Sequence, residues 1–129
     1  MKFALVALML SATTASASDL PMDTVVLGAL DKVSGRVNTI RGSVNETLAF
    51  GTLKIIARTC LTHPPEERPE NSAFLEIAQT LQDKDQPPKQ VFSGWMFSSN
   101  PAVSAMDHPV YDVWVLACEP SDKKASNSR

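Results

Sequence analysis

Four groups of residues in this sequence carry types that could do chemistry. Asp107-His108 stands between Ser98-Ser99 and Asp112, which supplies the nucleophile, base and orienting carboxylate of an acyl-transfer site. Nothing in the spacing selects them, because no Gly-x-Ser-x-Gly elbow is present and the adjacent Asp107 and His108 side chains would diverge. A hydrolase built on His108 is therefore the weakest of the functional readings. Cys60-Leu61-Thr62-His63 puts a thiol and an imidazole three residues apart, and His108 and Cys118 would complete a metal-ligand set. Against this, both histidines precede prolines in turn-like sequence and no second ligand pair exists, so no metal and no cofactor is expected. Glu66, Glu67 and Glu70 could hold a cation, but a charge run in a Pro-rich stretch usually reads as solvated surface. Finally, Trp95 and Trp114 stand close in sequence to Asn100, His108, Tyr111 and Asp112. Aromatic rings beside such polar groups suit a sugar or an extended peptide, which makes these six residues the candidate binding surface. The competing reading assigns Phe92, Trp95 and Trp114 to the core, with Tyr111 and His108 divided between core and surface.

The elements that must position these groups belong to a small chain. It has 129 residues, 43% hydrophobic and 20% charged, enough for one compact domain. The near balance of 12 Lys+Arg against 14 Asp+Glu removes the basic footprint of a nucleic-acid binder. Met1-Lys2, the apolar run Phe3 to Leu10 and the small-residue stretch ending Ala15-Ser16-Ala17 have the order of a secretory leader, with cleavage expected after Ala17. The apolar run is too short to span a bilayer, so no transmembrane span is expected after processing. Export places Cys60 and Cys118, the only two cysteines, in an oxidising compartment, where a disulfide is favoured over a metal site. Closing so long a loop would contribute up to about 4 kcal/mol by chain entropy.

Alternation of apolar and polar residues dominates the rest. Strands are expected over Thr24–Leu30, Val33–Arg41, Thr47–Phe50, Leu53–Cys60, Ala73–Gln79, Val91–Phe97 and Val110–Cys118. Strict alternation puts Leu53, Ile55, Ala57 and Thr59 on one face and Lys54, Ile56, Arg58 and Cys60 on the other. In the last strand it sets Cys118 with Trp114 and against Val113 and Val115. Val91–Phe97 is apolar on both sides, which suggests a central strand. Ser98-Ser99-Asn100-Pro101 is a helix start, with Ser99 or Asn100 as N-cap and a short helix from Pro101 to Met106. The fold class is therefore all-β, a small antiparallel sandwich or barrel with one short helix and a disulfide staple. The domain layout is a leader over 1–17, a flexible segment over 18–23, one β domain over 24–118 and a disordered tail over 119–129.

Several runs carry a family resemblance: Leu30 to Arg36, Phe50-Gly51-Thr52-Leu53, Glu70 to Leu75, Phe92-Ser93-Gly94-Trp95-Met96-Phe97 and His108-Pro109-Val110-Tyr111-Asp112-Val113-Trp114. Together they resemble a small exported bacterial family known as domain of unknown function 2155, over nearly all of the chain beyond the leader. The resemblance implies a bacterial cell envelope and keeps both cysteine positions, in agreement with the disulfide. The resulting expectation is a non-catalytic periplasmic binding or accessory protein. Its expected partner is an envelope protein, engaged through loops 61–72 and 98–109 or by strand addition at a sheet edge. The alternative is a module that binds cell-wall glycan or peptidoglycan through Asn100, His108 and Tyr111. Nucleic acid is not expected as a partner.

Overall fold

A computed structural model describes residues 19–83 and 85–121. The expected leader, its cleavage site and residues 122–129 of the expected tail lie outside the described residues. Eight strands are described: β1 Leu20–Pro21, β2 Thr24–Asp31, β3 Arg36–Ser43, β4 Thr47–Phe50, β5 Leu53–Thr62, β6 Asn71–Gln79, β7 Lys89–Phe97 and β8 Tyr111–Glu119. They form two antiparallel sheets. In one, β5 is flanked by β6 and then β7 on one side and by the short β4 and β1 on the other; the second has the order β3-β2-β8. The all-β expectation is met, as a sandwich.

The core lies between the sheets. Val25, Leu27 and Ala29 of β2 and Val113 and Val115 of β8 face Leu53, Ile55 and Ala57 of β5, Ala73, Leu75 and Ile77 of β6 and Met96 of β7. Each fully buried Leu or Ile contributes about 2 kcal/mol relative to exposure, so these aliphatic side chains supply most of the driving force.

Two bulges change the face arithmetic. In β5 the register shifts between Ala57 and Thr59, leaving Arg58 as an extra residue. In β8, Leu27 pairs with Val115 but Val26 pairs with Ala117, so Leu116 is extra. An extra residue reverses the facing of everything after it. Cys60 therefore joins Ile55 and Ala57 in the core and Cys118 joins Val113 and Val115, the reverse of strict alternation. The two sulfurs are bonded, with Cα atoms 5.6 Å apart and a sequence separation of 58. Bonded to each other, they are not available as metal ligands.

Other differences have local causes. β7 ends its sheet and is not central; its outward face stays apolar because Trp95 packs edge-on against Phe74 across the strand pair, with centroids 5.6 Å apart. Residues within the segment expected to be flexible form β1, since Leu20 pairs with Thr62 and Pro21 with Leu61. Glu119, expected in the tail, extends β8 opposite Thr24. The helix is a single 3-10 turn over Pro101–Ser104, called η1 here, with Asn100 at its N-cap position but no side-chain cap bond. The β2–β3 turn is organised by Asp31, whose Oδ1 accepts the Val33 and Ser34 amides, and by Gly35 at φ +72.

Candidate functional site

His108 is 5% exposed and is committed to the backbone. Its Nδ1 accepts the amides of Val110 at 3.0 Å and Tyr111 at 3.1 Å. Nε2 must then carry the proton, which it donates to Gln79 Oε1 at 2.9 Å. The His108 carbonyl accepts Lys32 Nζ at 2.8 Å, and the Tyr111 ring lies 5.4 Å from the imidazole. Tyr111 also packs edge-on against Phe50, and its hydroxyl occupies the space over Gly51, where a Cβ would lie 2.3 Å away. These two residues form a latch that joins the start of β8 to the end of β6.

The opposite end of β6 has its own clasp. Asn71 Oδ1 accepts the Cys118 amide at 3.0 Å, and its own amide donates to Ser98 Oγ at 3.0 Å. Glu70 Oε1 accepts the Ser98 hydroxyl at 3.1 Å and the Ser99 amide at 3.0 Å, and Oε2 accepts the Ser99 hydroxyl. Burial alone would raise the Glu70 carboxyl. The bonds from the Ser99 hydroxyl and amide, the Ser98 hydroxyl and the Asn71 amide outweigh it and hold the group below the ordinary carboxylate value. Sequence reading passed Glu70 over as surface charge, because only the fold brings Ser98 and Ser99 to it. The nine residues of β6 span about 27 Å. Ser98 and Ser99 thus sit at one end of that strand and His108 at the other, so the hydrolase set is not assembled. His63, the remaining histidine, bonds the Arg68 carbonyl within its own loop.

Of the four candidate binding residues besides His108 and Tyr111, the fold brings together Asp112 and Trp114. They line a groove of about 410 Å³ with Val113 on one side and Pro101, Ala102 and Ala105 of the η1 segment on the other. Asn100 leads directly into that wall. Trp95 is elsewhere, 39% exposed on the outer face of the five-stranded sheet. The core reading of Trp95 and Trp114 is thus corrected. The interior is filled by Val, Leu, Ile, Ala, Met and the cystine, and both indoles lie outside it. Trp114 lies across Gly28, where a Cβ would fall 2.3 Å from the ring, so only glycine lets the indole down onto the sheet. The small walls Pro101, Ala102 and Ala105 were not singled out from sequence, since residues of those types carry no chemical signal. A second groove, of about 390 Å³, crosses the outer face of the five-stranded sheet between Lys54 and Gln90, where Glu76 is already paired with Arg58.

The edge strands complete the picture. Lys32 donates its amide to the Val110 carbonyl at 2.8 Å. By alternation, Asp112 and Trp114 bond toward β2, while Tyr111 and Cys118 turn their amides outward, to His108 and Asn71. β3 is different. Val44 donates its amide to the Asp23 carbonyl, which fixes the alternation so that Asn38 and Ile40 bond to β2, while Val37 and Thr39 direct N–H and C=O away from the sheet. Both are exposed, and no strand among the described residues pairs with that edge.

Fold and site together define a disulfide-stapled β-sandwich whose smaller sheet has its β8 edge tied at both ends and its β3 edge exposed at Val37 and Thr39. A family model described as an uncharacterized protein conserved in bacteria, domain of unknown function 2155, matches residues 25–118, and the chain belongs to that family. It is also similar to an uncharacterized protein of Rickettsia prowazekii (strain Madrid E), 29% identical over 90 residues, covering 70% of this chain and 57% of that relative. The match therefore spans little more than half of the relative's length. No solved structure matches the chain.

Proposed function

We propose that this protein is a non-catalytic binding protein of the bacterial cell envelope, exported by its leader, that receives an extended strand of another envelope protein along β3. The observation that carries the reading is the state of that edge. β3 pairs with β2 from Thr24–Ser43 to Asp31–Arg36 without a register shift, holds no proline, and carries its one inner-face charge, Arg36, at its first position. Strand edges left in this condition are templates for pairing, and proteins ordinarily blunt them. The other edges are blunted: β1 and β4 are short, β7 is bulged at Val91, and β8 has its end amides taken. Val33 and Val37, 80% and 62% exposed, add apolar surface beside the open edge.

The exposed stretch carries Arg36 and no acid, which favours an acidic partner strand. The non-catalytic part of the reading is supported by His108, whose two ring nitrogens are both engaged.

The test is co-purification of the tagged protein from the envelope, identification of what it holds, and repetition with Thr39→Pro. That change removes an outward amide and leaves the β2 ladder intact. The expected result is an identified envelope protein that wild type binds and the folded variant does not, with the Val37 and Thr39 amides protected from exchange in the complex. Binding unaffected by the variant, association only with itself, or accumulation in the cytoplasm would overturn the proposal.

A second reading, glycan binding, is favoured by exposed Trp95 beside Phe74 and not by His108 or Tyr111, which are packed. Retention on polymeric peptidoglycan that Trp95→Ala abolishes would support it.

A further inference from the structure

The groove between η1 and β8 has a composition that selects its occupant. It is lined by Pro101, Ala102, Ala105, Val113 and Trp114, and its single charged residue is Asp112. Asp112 is half-buried and has no hydrogen-bond or ion-pair partner among the described residues. Its neighbour across β2 is Val37 through Leu30, so no cation stands opposite it on that face. Lys32, the nearest basic residue in the register, is held by the His108 carbonyl. A carboxylate accepts hydrogen bonds and donates none, so the groove offers negative charge, an aromatic surface and apolar walls.

That combination fits a cation with an alkyl stem. The carboxylate takes the charged head, the indole adds cation–π attraction, and Pro101, Ala102 and Ala105 cover the methylenes. It fits a sugar poorly. Sugars need several donors and acceptors, whereas here Asp112 is the only polar side chain and the Trp114 Nε1 edge is turned down over Gly28, 2.4 Å from where a Cβ would stand.

We propose that this groove receives a lysine or arginine side chain of a partner protein. The proposal deepens the binding reading above by giving the partner a second feature, a basic residue laid across the smaller sheet. It can fail without that reading failing, because the groove lies two strands away from the β3 edge.

The two indole N–H resonances allow a direct test by NMR titration of the purified protein. Probes are capped Ala-Lys-Ala and Ala-Arg-Ala peptides, ethanolamine, and a trimer of N-acetylglucosamine. The expected result is that both peptides shift the Trp114 indole and the Ala102 and Ala105 amides, leave Trp95 unmoved, and bind more tightly than ethanolamine. Asp112→Asn should weaken the peptides about tenfold or more, the equivalent of losing one charged contact. Ala102→Leu, which fills the groove without touching the charge, should do the same. The proposal is overturned if the sugar trimer shifts Trp114 and the peptides do not, if ethanolamine matches the peptides, or if Asp112→Asn binds them as wild type does. Should Thr39→Pro abolish partner binding while Asp112→Asn leaves it and the titration unchanged, only this inference is lost.

Discussion

The two outer strands of the smaller sheet, β8 and β3, have the same length class and the same neighbour, yet one is tied down at both ends and the other at only one. β8 is held at both ends by side chains that bond its outward amides: His108 takes Tyr111 and Asn71 takes Cys118. A disulfide from Cys118 to β5 then ties it to the larger sheet. β3 is held this way at one end only, where Glu46 Oε2 takes the Ser43 amide, and Val37 and Thr39 stand exposed along its outer side. An edge that is sealed by three separate interactions serves the fold. The edge across β2 from it is the one to which the proposed partner strand is assigned.

The largest expected change comes from opening the closed edge at its covalent end. Reducing Cys60–Cys118, or replacing both residues by Ala, should lower stability by up to about 4 kcal/mol, read as a drop in the denaturation midpoint with a steeper slope, because the unfolded chain without the cross-link is less compact. Hydrogen exchange should then accelerate at Cys118 and Glu119 before the β2–β3 ladder. Protection lost equally in β3 would mean that the contrast between the edges is not real.

Opening the other end is a smaller perturbation. His108→Ala strands the Val110 and Tyr111 amides and leaves Gln79 without its donor, for a loss of about 2 kcal/mol. Faster exchange at Tyr111, with Thr39 unaffected, is the expected pattern. If Tyr111 exchange does not change, the latch is not what closes that end.

The smallest effect is the pH dependence of Glu70. Its folded carboxyl titrates below its unfolded value, so its contribution is complete above the ordinary carboxylate range and disappears as pH falls through the folded value. Glu70→Gln should therefore be less stable than wild type at neutral pH, and the two midpoints should converge on acidification. Divergence at low pH would contradict the hydrogen-bond account of the clasp.

Much of the fold is legible from local pattern. The strands β2, β4, β5, β6, β7 and β8 fall within a few residues of the alternating runs, and Asp31 to Gly35 forms the turn that its composition suggests. The site is less legible. Trp95 and Trp114 look like core residues because a small domain ordinarily needs its largest side chains inside, but aliphatic pairs already fill the interior here. His108 is divided between core and surface in the sequence because its neighbours there are polar, and it is buried because its own following amides and Gln79 from another strand converge on it.

What the sequence by itself determined is the all-β class, family membership and the pairing of the two cysteines, because alternation, motif runs and an even cysteine count are local or countable properties. Only the tertiary structure decided which way those cysteines face, since one extra residue at Arg58 and one at Leu116 reverse the facing of each strand beyond it. It also decided which edge is sealed. An edge is defined by the strand that does not come to lie beside it, and that depends on how two sheets pack and on no single stretch of sequence.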